Sequence, residues 1–252
     1  MNTPTFASFW QLSRREQLDT AWRIFRLQTQ VIFSQRVVWF LGAMLLYIGI
    51  VYTVNYTIES DDRMGLHEIY IMVMTMPLLV LALYLNMQVV ITEKEQRTLE
   101  VMFTTAGSRY KVWLLRLGTL NVLLWLMSVG MSAVVFFTFA DFSIPGMACS
   151  VYATVFLVGN LTLFFAVRLR SGLGAGMVTA LVLILHLFST GIFEYEDTRY
   201  VLFFNPYDIP NQMDPRTWDL WTWQNRIGVL IVGAVLLFFA LRGLERRDRL
   251  LR

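Results

Sequence analysis

The side chains able to do acid–base, nucleophilic or metal chemistry are few. The chain holds two histidines, His67 and His186, and one cysteine, Cys149. His186 and Ser189 are three residues apart and would share a face of one helix, the nearest approach to a serine–histidine pair. No Gly-x-Ser-x-Gly elbow accompanies them, and a base and nucleophile on one helix seldom align. Ser189 bonding back to its own helix and His186 satisfying a neighbour is the plainer reading. His67 stands beside Glu68 without the ligand spacing of a zinc site. No apolar run carries the two central carboxylates of an aspartyl protease or proton relay. A lone cysteine forms no internal disulfide. No Gly-x-x-x-x-Gly-Lys-Ser/Thr loop occurs, so the chain has no Walker A route to ATP. Asn86, Gln88, Asn121, Asn160 and His186, with Thr162, are the polar groups within otherwise apolar sequence. They are candidates for a substrate path; hydrogen bonding between helices is the alternative.

The elements that must position these groups are six strongly apolar runs, roughly Val37–Val54, Ile69–Ile91, Leu117–Phe139, Met147–Val167, Leu173–Phe193 and Ile227–Leu241. A helix needs about 20 residues to cross about 30 Å of hydrocarbon. Backbone in lipid must satisfy its own hydrogen bonds, so the runs are read as helices. Of 252 residues, 56% are hydrophobic and only 15% charged, well below the charge content of soluble domains. The expectation is an all-α membrane protein with six transmembrane helices, a single transmembrane domain over residues 1–252 with no ATP-binding domain. With six spans both termini share one side. That side takes 17 of the 21 basic residues, leaving only Arg63, Arg199, Arg216 and Arg226 opposite. The positive-inside rule then puts both termini in the cytoplasm of a multi-pass protein of the inner (plasma) membrane. The same asymmetry explains the basic pI, and nothing in the pattern calls for nucleic acid.

Between the runs, residues 18–36 alternate aromatic and aliphatic side chains with Arg23, Arg26 and glutamines, the pattern of an amphipathic helix in the headgroup layer. It reads either as an anchor for the first span or as an elbow helix that also meets a cytoplasmic partner. The outer loop Asn55–Glu68 is acidic, as a solvated loop would be. Pro77 removes a backbone hydrogen bond from the second span and predicts a kink. Ser171–Gly176 is rich in small residues and suits close helix packing. Residues 194–226 read as a long extracytoplasmic loop with Pro206, Pro210 and Pro215, and with Trp218, Trp221 and Trp223 at the interface. Within it, Tyr200–Phe204 is apolar but too short to span, so it reads as a re-entrant or interfacial segment before the sixth span.

Residues 92–111, between the second and third spans, concentrate charge at a helix end: Glu93, Lys94, Glu95, Arg97 and Glu100. The apolar patch Leu99-Glu-Val-Met-Phe103 follows, then a turn-prone Thr104-Thr-Ala-Gly-Ser108 and the basic Arg109 and Lys111. An exposed apolar patch beside a membrane is expected to have a docking surface. The alternative is a solvated loop capped by charges.

This segment resembles the permease subunits of type-2 ABC exporters, which carry a Glu-x-Glu-x-Gly-Thr-Leu-Glu-like stretch after their second span. Glu93, Glu95, Thr98, Leu99 and Glu100 match; Arg97 stands where that family has Gly, and Ala106 where it has Pro. The six spans, amphipathic elbow and long loop before the last span are similar in topology, and Asn205-Pro206 resembles a turn found there. The resemblance implies a cytoplasmic coupling helix near Thr98–Thr105. Leu99, Met102 and Phe103 would enter a cleft on a separate ATPase, with Glu93, Glu95 and Glu100 pairing with its basic groups. It further implies two ATPase copies holding ATP and magnesium, a second permease copy or related permease, and no cofactor bound by this chain. By itself the chain would not be an enzyme. A secondary transporter would show internal repeats and buried ions, neither of which is read here. A non-transporting scaffold or assembly factor remains the other reading.

Overall fold

The computed structural model describes residues 13–32, 35–58, 63–95, 109–169, 171–190, 199–210 and 213–244. The described part of each of the six apolar runs lies on a helix, Phe139 excepted. In chain order the helices are α1 (Arg14–Ile32), α2 (Gln35–Thr57), α3, α4 (Arg109–Thr138), α5 (Ile144–Leu169), α6 (Gly172–Thr190) and α7 (Pro215–Leu244). α3 is one continuous element in three pieces: a single turn Leu66–Glu68, a π-helical stretch Ile69–Thr75 and an α-helical stretch Met76–Glu95. Among the described residues four stretches are long and apolar enough to cross a membrane: Leu66–Gln88, Trp113–Thr138, Ile144–Leu169 and Pro215–Leu244. Within the same residues α2 and α6 carry the apolar stretches Leu41–Thr57 and Gly172–Phe188. The architecture is all-helical among the described residues and consistent with a multi-pass membrane protein.

α5 is the axis. α7, α3, α4 and α6 all pack on it, and 72% of its apolar window is buried inside the protein, against 28% for α7. Its sequence explains this: Ala148, Ser150, Ala153, Thr154, Gly159 and Ala166 are small and buried, so neighbouring backbones come close. A Cβ built on Gly159 would stand 2.7 Å from the Asn86 amide of α3. Ser128 of α4 donates to the Ala148 carbonyl of α5 at 2.6 Å, tying those two helices. α2 lies at the periphery. It meets the core through Met44 and Ile48 and turns Trp39, Leu45, Leu46 and Ile50 outward. Outward-facing aliphatic and aromatic side chains are what lipid contact requires.

The π-helical stretch has a local cause. Pro77 has no N–H, and in an α-helix its ring would press on the carbonyl of Val73. The chain widens just before it: the Met76 N–H reaches the Ile71 carbonyl, five residues back. The Thr75 hydroxyl likewise donates to the Tyr70 carbonyl at 2.7 Å. The irregularity that Pro77 predicts is thus a wider turn, which re-aims the residues N-terminal to it, Tyr70 among them.

Two boundaries differ from the sequence reading. Pro215–Arg226 is helical, so the connection read as 194–226 ends at Asp214. Asp214 caps the helix: the Thr217 N–H donates to its carboxylate at 3.2 Å, and Pro215 takes the first helical position. α1 begins at Arg14, ahead of the expected residue 18, where Ser13 and Glu16 exchange bonds: Ser13 N–H to Glu16 Oε2 at 2.9 Å and Glu16 N–H to Ser13 Oγ at 3.4 Å. The Ser13 hydroxyl also donates to Glu16 Oε2 at 2.8 Å; that bond first, and the Ser13 N–H second, hold the exposed Glu16 carboxyl below its usual pKa. α1 packs on α4 and leaves Trp22, Arg23, Arg26 and Leu27 exposed.

Candidate functional site

The densest polar cluster centres on Arg226. It is the twelfth residue of α7, with 6% of its surface exposed. One guanidinium nitrogen donates to the Tyr70 hydroxyl and to the Phe204 carbonyl, each at 2.9 Å. The other reaches Thr154 Oγ1 and Asn225 Oδ1, each at 3.3 Å. The cation also lies over the Tyr70 and Phe204 rings at 5.9 and 6.0 Å. All four acceptors are neutral, and no carboxylate among the described residues pairs with it. A buried cation costs several kcal/mol unless well solvated. Here the protein supplies hydroxyl, amide, carbonyl and π-face in place of water. The acceptors come from α3, α5, α7 and the 199–210 segment, so one side chain joins four parts of the fold.

That segment has no ladder of its own. Apart from the single turn at Arg199–Tyr200 it is irregular, yet Val201 and Phe204 are buried. Buried backbone must be paired, and side chains of the bundle provide the partners. Asn225 Nδ2 donates to the Arg199 and Val201 carbonyls at 2.8 and 2.9 Å. His186 Nε2 accepts the Leu202 N–H at 2.9 Å, which requires the tautomer protonated on Nδ1. Trp218 Nε1 donates to the Pro206 carbonyl at 2.8 Å, and its ring packs tilted against Phe204 with centroids 4.8 Å apart. Asn205 accepts the Tyr207 N–H at 3.0 Å and donates to the His67 carbonyl at 2.9 Å, forming the turn before Pro206. Leu202 and Phe203 pack on Leu79, Val158 and Leu183. Burial pushes the Tyr207 phenol up to about 12; neighbouring Tyr70 adds to the shift and Arg226 opposes it.

Beside this cap a cleft of about 280 Å³ opens between α5, α6, α7 and the segment. Arg199, His186 and Gln224 form its polar end; Leu157, Gly228 and Val232 are among its apolar walls. The Arg199 guanidinium lies over the Tyr200 and Trp221 rings at 4.8 and 5.4 Å, and its Nε is buried without a partner.

Of the candidate path residues, only His186 lines this cleft. Asn86, Asn121 and Asn160 each donate to a carbonyl one turn back on their own helix, at 2.8 Å. Thr162 does the same toward Val158. Asn86 and Asn160 are buried, Gln88 and Asn121 half-buried. These bonds satisfy one amide or hydroxyl donor each of Asn86, Asn121, Asn160 and Thr162 within their own helices. Glu93 and Glu95 lie in the last turns of α3; Thr98, Leu99, Glu100, Met102 and Phe103 lie outside the described residues. Ser189 lies on α6, without a described side chain. Among the described residues no three His, Cys, Asp or Glu side chains come together to hold a metal.

The sequence reading missed Arg226, Asn225, Arg199 and Tyr70. The available signal was the polar pair Asn225-Arg226 directly before an apolar run, with Trp218 and Trp221 upstream at helical spacing.

Comparison with known protein families, characterised proteins and solved structures finds no match to this chain.

Proposed function

We propose that this chain is the membrane-spanning permease subunit of a type-2 ABC transporter, an exporter, driven by a separate ATPase subunit. The observation that carries the reading is the segment between α3 and α4. The apolar run of α3 ends at Ile91 and that of α4 begins at Leu117, yet both helices continue past those points, to Glu95 and from Arg109. Their projecting turns hold Glu93, Lys94, Glu95, Arg109 and Lys111, and they bracket the apolar patch Leu99–Phe103. Both helices pack on α5. A push on the bracketed segment would therefore reach the core through two rigid elements, the mechanical requirement of a coupling lever. Glutamates around an apolar knob give register on a basic partner surface more than raw affinity. Two copies with the path between them satisfy the need for a pore that one small bundle lacks. The termini and the α3–α4 segment are cytoplasmic in this reading, and the 199–210 cap lies on the outer face.

The test is co-purification of an ATP-hydrolysing subunit with the tagged chain from native membranes, and its turnover. Phe103→Asp puts a charge where an apolar side chain should be buried, and Glu100→Lys reverses a charge at the contact. Each is expected to abolish ATPase recovery or its stimulation while the permease stays folded. Unchanged recovery and turnover in Phe103→Asp returns the segment to a solvated loop.

A further inference from the structure

We propose that the cleft beside the cap binds a phospholipid of the surrounding membrane, with the lipid phosphate at Arg199 and part of one acyl chain along Leu157, Gly228 and Val232. The inference needs only that α7 crosses the membrane and does not rest on the transporter reading.

The polar end supplies an oxyanion site. Both rings beside Arg199 engage the guanidinium, at 4.8 and 5.4 Å from Tyr200 and Trp221. The guanidinium carries planar N–H donors, and such a fork matches phosphate oxygens. Nε is buried without a partner, as is Nε of Arg226, and no carboxylate among the described residues neutralises the Arg199 charge. Nearby Arg226 differs: its terminal nitrogens are taken by four internal acceptors. Arg199 is the arginine of the cleft lining, and no such acceptors hold its terminal nitrogens among the described residues.

The other end supplies a chain site. From Gln224 to Val232 the cleft follows α7 for about 12 Å at the helical rise per residue. Its walls change from amide and imidazole to aliphatic along that length. Trp223 and Tyr200 are exposed at the polar end, where interfacial aromatics mark the headgroup level. Gly228 keeps the groove open: a Cβ added there meets nothing within 4 Å. Cation at headgroup depth, aliphatic wall below and an opening between them match a phospholipid and not a soluble anion.

The purified full chain, with whatever subunits accompany it, is examined by native mass spectrometry against dioctanoyl phosphatidylglycerol, dioctanoylglycerol and inorganic phosphate. One saturable phosphatidylglycerol adduct per chain is expected, with dioctanoylglycerol held at least fivefold more weakly and no competition from phosphate. Arg199→Gln should lower phosphatidylglycerol affinity at least fivefold and leave dioctanoylglycerol unchanged. Gly228→Phe should remove the saturable adduct by filling the groove, and Val232→Trp serves the same purpose if Gly228→Phe does not fold. Full adduct retention in Arg199→Gln and in the groove-filling variant overturns the site. Competition by phosphate alone would make it a soluble-anion site and overturns the lipid assignment.

Discussion

Tyr70 and Arg226 are 156 residues apart in the chain, and their side chains meet at 2.9 Å inside the bundle. The contact depends on two local features. The widened turn before Pro77 aims Tyr70 inward, and the Asp214–Pro215 start of α7 brings Arg226 inside a helix. Together with the Phe204 carbonyl they fix the cap to the helices.

A hydrogen bond to a buried charge contributes about 1.5–3 kcal/mol, and bonds between membrane helices average less. Tyr70→Phe is therefore expected to lower stability by about 1–2 kcal/mol. Arg226→Met leaves the Phe204 carbonyl without its donor and should loosen the cap more than it unfolds the bundle. Thermal unfolding in detergent measures the first. A cysteine placed at Phe203 measures the second, and faster labelling in Arg226→Met than in the parent is expected. Equal labelling rates would show that the cap is held without Arg226.

Two glycines on α7 make a matched pair. A Cβ on Gly233 would stand 2.7 and 2.8 Å from ring carbons of Phe156 and 3.3 Å from the Leu157 Cα, so α5 must shift to admit it. Gly228 has open space. Overpacking costs about 1–3 kcal/mol, whereas Gly→Ala in open helix gains up to about 1 kcal/mol. Gly233→Ala is expected to lower the unfolding temperature and Gly228→Ala to hold or raise it. The opposite order would mean that α7 does not pack on α5 through Gly233.

The contrast between these glycines shows where sequence reading stops. Apolar run length is set by the bilayer, so the helices around Val37–Val54 and Met147–Val167 were legible from composition. Helix ends outside the hydrocarbon are set by caps. Asp214-Pro215 is such a cap, but among three prolines and three tryptophans it looked like more loop. Asn86, Asn121 and Asn160 drew notice as polar groups in apolar sequence, yet each bonds to its own helix, a solution invisible to spacing. Arg226 was assigned to a loop because charge marks loops in membrane proteins. Its burial depends on Tyr70, Thr154 and Phe204, which are distant in sequence and carry no common motif. The charged segment at 92–111 is the reverse case, informative as sequence while its central residues lie outside the described structure.

Tyr207 supplies a titration check on the cap. Its phenol is pushed from 10.0 to about 12, burial being the first cause. A raised folded pKa means that the cap favours neutral Tyr207. That contribution is complete below the unfolded value and is lost as pH rises from about 10 through about 12. At pH 11 an ordinary phenol is roughly nine-tenths ionised and Tyr207 roughly one-tenth. The difference in tyrosinate absorbance between the parent and Tyr207→Phe should therefore be a small fraction of one tyrosine at pH 11. It should grow to a full tyrosine on unfolding. A full-tyrosine difference at pH 11 in folded protein would place Tyr207 in water and detach the cap from the bundle.

Orientation follows from charge and can be read with one pair of cysteines. Cys149 is exposed on α5 and must first be replaced by Ser. Asp208 is exposed in the cap segment, and Arg15 is exposed at the start of α1. The cap carries Arg199 among its described residues. The opposite end holds α1 with Arg23 and Arg26, the last turns of α3, and the first turns of α4 with Arg109 and Lys111. Basic residues near span ends are retained on the cytoplasmic side, and on that rule we predict that the cap faces outward. In intact cells a membrane-impermeant maleimide is expected to label Asp208→Cys and spare Arg15→Cys until the membrane is opened. Labelling of Arg15→Cys alone would invert the protein, put the α3–α4 segment outside the cell, and remove the ATPase partner from its reach.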